Sequence, residues 1–286
     1  MKAKWTGIAL SLVLCAALFA GCGRSGVSAI NDQPAAEEAA VTEEPTPEPV
    51  EEEPEEEPIE AETVEEEENP LPEGMMYSLL TGEVVPWEYA LKRPFAIMIN
   101  NLNPAVPQSG IAGADIMYEC YVEGNITRLM AIYQDPSPYS KIGPLRSARH
   151  YYLDYMDDYE ANYVHFGWSY AAEYKIDVEG RTSINGTNYD GSWGFFRTDD
   201  RVAPHNAYVD GAQLADIAAD KGMRLDYGGY YPVLSFNRED TVPETGEDAS
   251  GTVTFPYPVN NPWFEYNEDE KVYYRYLSFW ESGVSV

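Results

Sequence analysis

Cysteine is scarce: three residues in 286, at Cys15, Cys22 and Cys120. Cys15 lies in an N-terminal apolar run and Cys22 directly after it. Only Cys120 is then left for a folded part, which excludes an internal disulfide framework and a cysteine metal cluster. Histidine is equally sparse, with His150, His165 and His205 and no HxH or HExxH spacing, so no metal site and no cofactor are expected. No GxSxG elbow surrounds Ser147 or Ser169. Lysine and arginine total 18 against 49 acids, so the basic face that nucleic acid requires is missing. No apolar run is long enough to cross a bilayer comfortably.

What is present is unevenly spread. Asn31 to Glu73 carries 18 glutamates and one aspartate and no base, a charge of −19. The first 30 residues carry +3, which leaves Gly74 to Val286 at −15. Residues 23–73 are glutamate, proline, alanine and threonine with almost no large apolar side chains. Such a segment cannot bury enough surface to offset its ordering entropy, and it reads as a disordered spacer. About fifty residues of this kind reach at most about 160 Å.

The N-terminus reads as an export signal. Lys2 and Lys4 precede the apolar stretch Ile8 to Ala20, of signal-core length. Leu18-Phe19-Ala20-Gly21-Cys22 resembles a bacterial lipobox, with Phe19 where that pattern usually has leucine. Residues 1–22 are therefore expected to be a lipoprotein signal. Cys22 is the lipidation site, carrying a palmitate-type anchor that holds the chain outside the cytoplasm on the cell membrane.

From Gly74 onward the texture is globular. Phe95 to Asn100 is an apolar run bounded by turn residues and reads as a buried strand. Asp115 to Glu123 alternates, placing Ile116, Tyr118, Cys120 and Val122 on one face. Cys120 thus reads as a structural thiol. Gly124-Asn125 is expected to be a two-residue turn returning into the strand Ile126 to Gln134. Arg146 to Ala161 shows helical spacing. Asn162 to Trp168 reads as a strand with His165 on its more polar face. Ser169 opens a helix. Gly180 to Arg197 reads as a long surface loop, and Asp210 caps a helix closed at Gly222. Beyond residue 226, short β-like runs (Val233 to Phe236, Thr252 to Phe255, Trp263 to Tyr266, Val272 to Leu277) suggest a smaller β-rich region. It reaches Val286 with no obvious ending, so its completeness is left open. The expected organisation is an α/β (α+β) layered sandwich with a mixed sheet over 74–226 and a β-rich region over 227–286.

Lys141 to Tyr155, KIGPLRSARHYYLDY, is the most suggestive stretch. Arg146, Ser147 and Arg149 at a helix start would place two guanidinium groups beside free backbone N–H groups, a setting for phosphate or carboxylate. Equally, these arginines could pair with Glu119 or Glu123 and tie helix to sheet. Arg128, Arg201 and Asn206 fall in flanking segments and, with Glu119 and Glu123, join the candidate ligand-binding set. His165 and His205 are the candidate acid–base groups, or loop-fixing residues.

Several segments, taken in order, carry a resemblance: RPFAIMINN, PQSGIAGADIMYE, EGNITRLMAIY, IGPLRSAR, VHFGWS and RVAPHN. Together they resemble the YerB-like family of bacterial lipoproteins, defined by domain of unknown function 3048. The resemblance spans about 115 residues and implies an α/β layered domain in a surface lipoprotein, without implying a reaction. Two functions stand side by side: a tethered binding module for an anionic small molecule, wall fragment or protein partner, and a cell-envelope hydrolase or transferase using His165 and His205. Replacing Cys22 by serine should move the chain out of the membrane fraction and abolish palmitate labelling. A serine variant that still labels and sediments with membranes would remove the anchor reading.

Overall fold

The computed structural model describes residues 71–229, 234–238, 251–281 and 284–285. The signal segment, Cys22, nearly all of the acidic spacer and Val233 lie outside the described residues. The elements in chain order are β1 (Met75–Tyr77), β2 (Val84–Pro86), α1 (Trp87–Ala90), β3 (Phe95–Asn100), β4 (Ile116–Tyr121), β5 (Thr127–Tyr133) and α2 (His150–Asp157). After them come β6 (Asn162–His165), α3 (Tyr170–Val178), β7 (Ile184–Asn185), β8 (Phe195–Arg197), β9 (Ala207–Val209), α4 (Leu214–Asp220), β10 (Thr252–Thr254), β11 (Asn260–Asn267), β12 (Val272–Glu281) and β13 (Val284–Ser285). Among the described residues no helix is long and apolar enough to cross a membrane.

A five-stranded mixed sheet, in the order β4-β5-β3-β6-β7, forms the middle layer. β3, β6 and β7 run parallel, whereas β5 lies antiparallel to both β3 and β4. The six residues of β3 are all buried, as expected of a central strand covered on both faces. Its period-two alternation splits the core. Ala96 and Met98 join Met130, Ile132 and Tyr163 beneath Tyr152, Leu153 and Met156 of α2 and Ala172 and Ile176 of α3. Phe95, Ile97 and Ile99 join Leu129, Val164 and Ile184 against Leu214, Ile217 and Ala218 of α4. Each such buried side chain contributes about 1.5–3 kcal/mol. The α/β layered sandwich expected from sequence is the observed architecture. A four-stranded antiparallel sheet, β10-β11-β12-β13, follows.

Some local expectations hold. Ser169 caps α3 by accepting from the Ala172 N–H, and Asp210 accepts from the Ala212 N–H ahead of α4. Ile116, Tyr118, Cys120 and Val122 do face one core cluster, and burial raises the Cys120 thiol pKa. Others need correction. The Gly124-Asn125 turn is a three-residue loop, closed by the Val122 N–H on the Ile126 carbonyl at 2.9 Å, with both Gly124 and Asn125 at positive φ. The supposed loop Gly180 to Arg197 contains β7, whose Ile184 is fully buried on the sheet edge, and β8. The helix begins at His150 rather than Arg146, because residues 144–148 are drawn into an extended path by backbone partners elsewhere in the fold.

Gly211 shows how tightly the α4 side is packed. A Cβ at this position would stand 2.0 Å from the Pro136 carbonyl oxygen, a backbone atom that cannot swing aside. Gly211→Ala should therefore cost about 2–3 kcal/mol of stability, read as a lowered urea midpoint with an unchanged slope. A variant as stable as the parent would show that this approach is not so close.

Candidate functional site

The parallel strands β3, β6 and β7 end at Asn100, His165 and Asn185, and antiparallel β5 brings Arg128 to the same end, opposite Asn100. The carboxyl ends of parallel strands are where open α/β sheets hold ligands. Across this end runs Ile142 to Arg149. The Asn100 N–H donates to the Pro144 carbonyl at 2.8 Å and the Arg146 N–H to the Met98 carbonyl at 2.9 Å. Leu145 bonds to Ala207, and the Phe166 N–H reaches back to the Arg146 carbonyl. Gly143 is required here: its φ is +142°, and a Cβ would lie 2.9 Å from the Ala207 carbonyl oxygen.

This path sets the arginines differently from the expected helix face. Arg149 is the residue preceding α2, in extended backbone. Its guanidinium meets Glu123 in a fork, with Nε at 2.8 Å from both carboxylate oxygens and Nη2 at 2.7 Å from Oε2. Its Nη1 donates to the Ala148 carbonyl. The guanidinium holds the Glu123 carboxyl below its ordinary range. Arg128 is 3% exposed and donates through Nη1 to the Ser147 carbonyl. It pairs with no carboxylate among the described residues. Burial and the nearby Arg149 and Arg146 charges pull its pKa down to about 10. Arg146 is half-buried, and among the described residues its guanidinium has neither a hydrogen bond nor an ion pair. Burial and Arg149 disfavour its charge as well. The Ser147 hydroxyl donates to the Phe166 carbonyl at 3.2 Å.

The two histidines have separate fates. His165 does not lie on a polar face but is fully buried, between the rings of Tyr163 and Trp168. His165 shares its face of β6 with Tyr163, which packs in the core with α2 and α3. Nδ1 is 2.8 Å from the Gly167 carbonyl and Nε2 is 3.0 Å from the Ser183 hydroxyl. The carbonyl must accept, so Nδ1 carries the proton and Nε2 accepts from Ser183. Desolvation lowers its pKa to about 4. His205 lies nearer the surface. Asn100 Nδ2 lies 2.9 Å from His205 Nδ1, and the Leu102 N–H already occupies Asn100 Oδ1. Nδ1 therefore accepts, leaving Nε2 as an N–H. Partial burial, then the Arg146 and Arg201 charges, lower the His205 pKa.

The other predicted residues disperse. Glu119 faces the later sheet: Oε2 accepts from Arg275 of β12 at 2.7 Å, and Oε1 from Thr127 and Asn101 at 2.6 and 2.9 Å. Arg201 clamps the preceding loop through the Ala105 and Pro107 carbonyls. Asn206 accepts from Arg197 and donates to the Thr198 carbonyl. Arg146, Arg128, Arg149 and His205 thus form a common electrostatic cluster, while Glu119, Asn206 and His165 have other partners. Sequence reasoning missed Asn100, which orients His205. Its signal was the polar residue ending an otherwise apolar strand. Among the described residues no group of three His, Cys, Asp or Glu side chains is placed to hold a metal ion.

Comparison with known proteins fits this geometry into a family. Residues 80–224 match the family model described as protein of unknown function (DUF3048), N-terminal domain. The chain is 36% identical over 194 residues to YerB of Bacillus subtilis (strain 168), a protein named as a candidate lipoprotein. That match covers 67% of this chain and 56% of the relative, so little more than half of its length is matched. The crystal structure of YerB from Bacillus subtilis is similar with a TM-score of 0.61 at 30% identity, covering 73% of this chain and 68% of that one.

The burial of His165 has a measurable consequence. The folded chain keeps this imidazole neutral down to about pH 4, whereas its ordinary value is 6.5. Between those values the unfolded state binds the extra proton, so the stability present above pH 6.5 is lost as pH falls. The loss between pH 7 and pH 5 should be about 2 kcal/mol for this group. Urea melts should show that loss in the parent and a flatter dependence in His165→Gln. Parallel pH profiles for the two proteins would exclude a buried neutral histidine.

Proposed function

The chain belongs to the DUF3048 family, and from that premise we propose that it is a membrane-anchored extracytoplasmic lipoprotein whose folded part binds an anionic group at Arg146. The anchor rests on Cys22 behind the apolar N-terminal run, and on a relative named as a candidate lipoprotein. Residues 23–73 then act as a spacer between the lipid and the folded region from Gly74 onward. In this reading residues 74–226 are the ligand-holding domain and 227–286 a second, β-rich one.

The observation that carries the binding role is the Arg146 guanidinium, which has no partner among the described residues. A half-buried cation beside two further arginines, with Glu123 the one carboxylate paired with any of them among the described residues, is in an unfavourable field of its own sign. An incoming phosphate or carboxylate relieves that field and accepts the charge-assisted bonds the protein leaves open. The Nε2–H of His205 adds a neutral donor nearby. Arg149 is anchored by Glu123 and serves to position the segment.

The same details favour binding over hydrolysis. Both His165 nitrogens are occupied within the core, and its lowered pKa traces to burial and to Lys221 rather than to the arginines. His205 offers an N–H and no free basic nitrogen, because Asn100 holds Nδ1. An acid–base pair of the two is not assembled.

Thermal melts of the full-length chain with inorganic phosphate test the reading. A ligand at about a hundred times its Kd stabilises by about 2.7 kcal/mol. The phosphate-induced rise in Tm should disappear in Arg146→Ala and survive in part in Arg146→Lys. An equal rise in the alanine variant would place any anion binding elsewhere.

A further inference from the structure

A polar cavity lies at the opposite end of the sheet from Arg146. It measures about 280 Å³ and is bounded by the start of β6, the end of α2 and the turn after α4. Its size sits just below the range of drug-sized ligand pockets and suits a smaller molecule. Three arginines reach its wall, yet two of them are committed. Arg181 binds Asp157 and Glu179, and Arg224 binds the Glu160 carboxylate. Arg93 differs: its Nε donates to the Glu160 carbonyl, and among the described residues it pairs with no carboxylate. Burial and the neighbouring Arg224 charge lower its pKa against the opposing pull of the Glu160 and Asp157 carboxylates, and a bound anion would add to that pull.

Asn162 supplies the opposite need. It opens β6 with no exposed surface and forms part of the same wall. Its Nδ2 donates to the Arg224 carbonyl at 3.0 Å, but among the described residues its Oδ1 has no partner. A buried acceptor left without a donor is costly and uncommon. A simple anion would satisfy Arg93 and leave Oδ1 facing more negative charge. A simple cation would do the reverse.

We propose that this cavity binds a small molecule presenting a carboxylate beside an N–H donor, the combination carried by a free amino acid or by the C-terminal residue of a peptide. The Arg93 guanidinium takes the carboxylate, and Asn162 turns its buried Oδ1 toward the cavity to accept the N–H. Met156, Ala161 and Met223 offer apolar contact to a short side chain. The site is independent of the Arg146 anion site and uses none of its residues.

Methionine methyl NMR on the full-length chain tests this directly, because Met156 and Met223 report from the cavity wall. Four probes separate the parts: L-alanine, N-acetyl-L-alanine, alaninamide without the carboxylate, and acetate without the N–H. The Met156 and Met223 signals should move with L-alanine or N-acetyl-L-alanine at low millimolar concentration. Alaninamide and acetate should bind at least about tenfold more weakly, since each leaves one charged or buried polar group unpaired. Tighter binding of L-alanine marks the free amino acid as the ligand class, and tighter binding of the acetylated form marks a peptide C-terminus. Arg93→Gln should weaken the better probe at least about tenfold, and where that variant fails to fold the four probes on the parent chain decide alone. Unmoved signals with both alanine probes up to about 10 mM, weaker than any useful affinity, would overturn the proposal. So would acetate or alaninamide binding as well as L-alanine.

Discussion

The segment Ile142 to Ala148 ties the end of the sheet to the segments around it, chiefly by backbone hydrogen bonds, with Arg128 and Ser147 adding side-chain ones. It belongs to no regular ladder, yet it exchanges bonds with Val209 and Ser109, takes one from Asn100, and gives others to Ala207, Met98 and Gly167. Buried backbone groups must find partners, and here one extended stretch provides them for the end of β3, for β9, for the loop before β4 and for the turn after β6. Gly143 makes the close approach to Ala207 possible. Ordering this stretch orders the end of the sheet, and with it Arg146, which the backbone delivers without help from its own side chain.

That division of labour explains why neighbouring arginines behave differently. Arg149 spends its fork on Glu123, an exposed carboxylate, and such a pair contributes little net stability although its geometry is bidentate. Arg128 is buried and holds the Ser147 carbonyl, so it stiffens the crossing segment from below. Arg146 is left over. A chain of net charge −31 would seem a poor host for an anion. Screening, however, limits charges to about 8–10 Å at physiological salt, so three arginines close together outweigh remote glutamates. The acidic excess acts on the approach of ligands rather than on the bound state.

Where the sequence was legible, a single physical signal was strong. The apolar run of β3 and the alternation of β4 reflect burial on two faces and on one, and the caps at Ser169 and Asp210 work through local hydrogen bonds. Where it misled, tertiary bonding overrode local preference. Arg146 to Arg149 has residues that suit a helix start, but its backbone is claimed by Met98, Phe166 and Gly167. The two residues of β7 are too short to leave a periodic trace among the glycines and asparagines around them. His165 follows the alternation of its strand, yet the polar face assigned to it is covered by α2 and α3, which no pattern within the strand can reveal. Asn100 and Asn162, at opposite ends of neighbouring parallel strands, read as strand boundaries.

The two asparagines show what a polar residue at a strand end can do in this architecture. At the carboxyl end of β3, Asn100 is satisfied on both sides of its amide, by Leu102 and by His205, and so fixes a neighbour. At the amino end of β6, Asn162 is satisfied among the described residues only through its nitrogen, and its buried oxygen is left without a donor in a residue that borders a cavity. Similar backbone settings therefore yield a positioning role in one case and an unmet acceptor in the other. The difference comes from what each end meets: the loop after β3 turns back so that the Leu102 N–H gives to Asn100 Oδ1, whereas the turn after α4 presents the Arg224 carbonyl to Asn162, which can accept but not give.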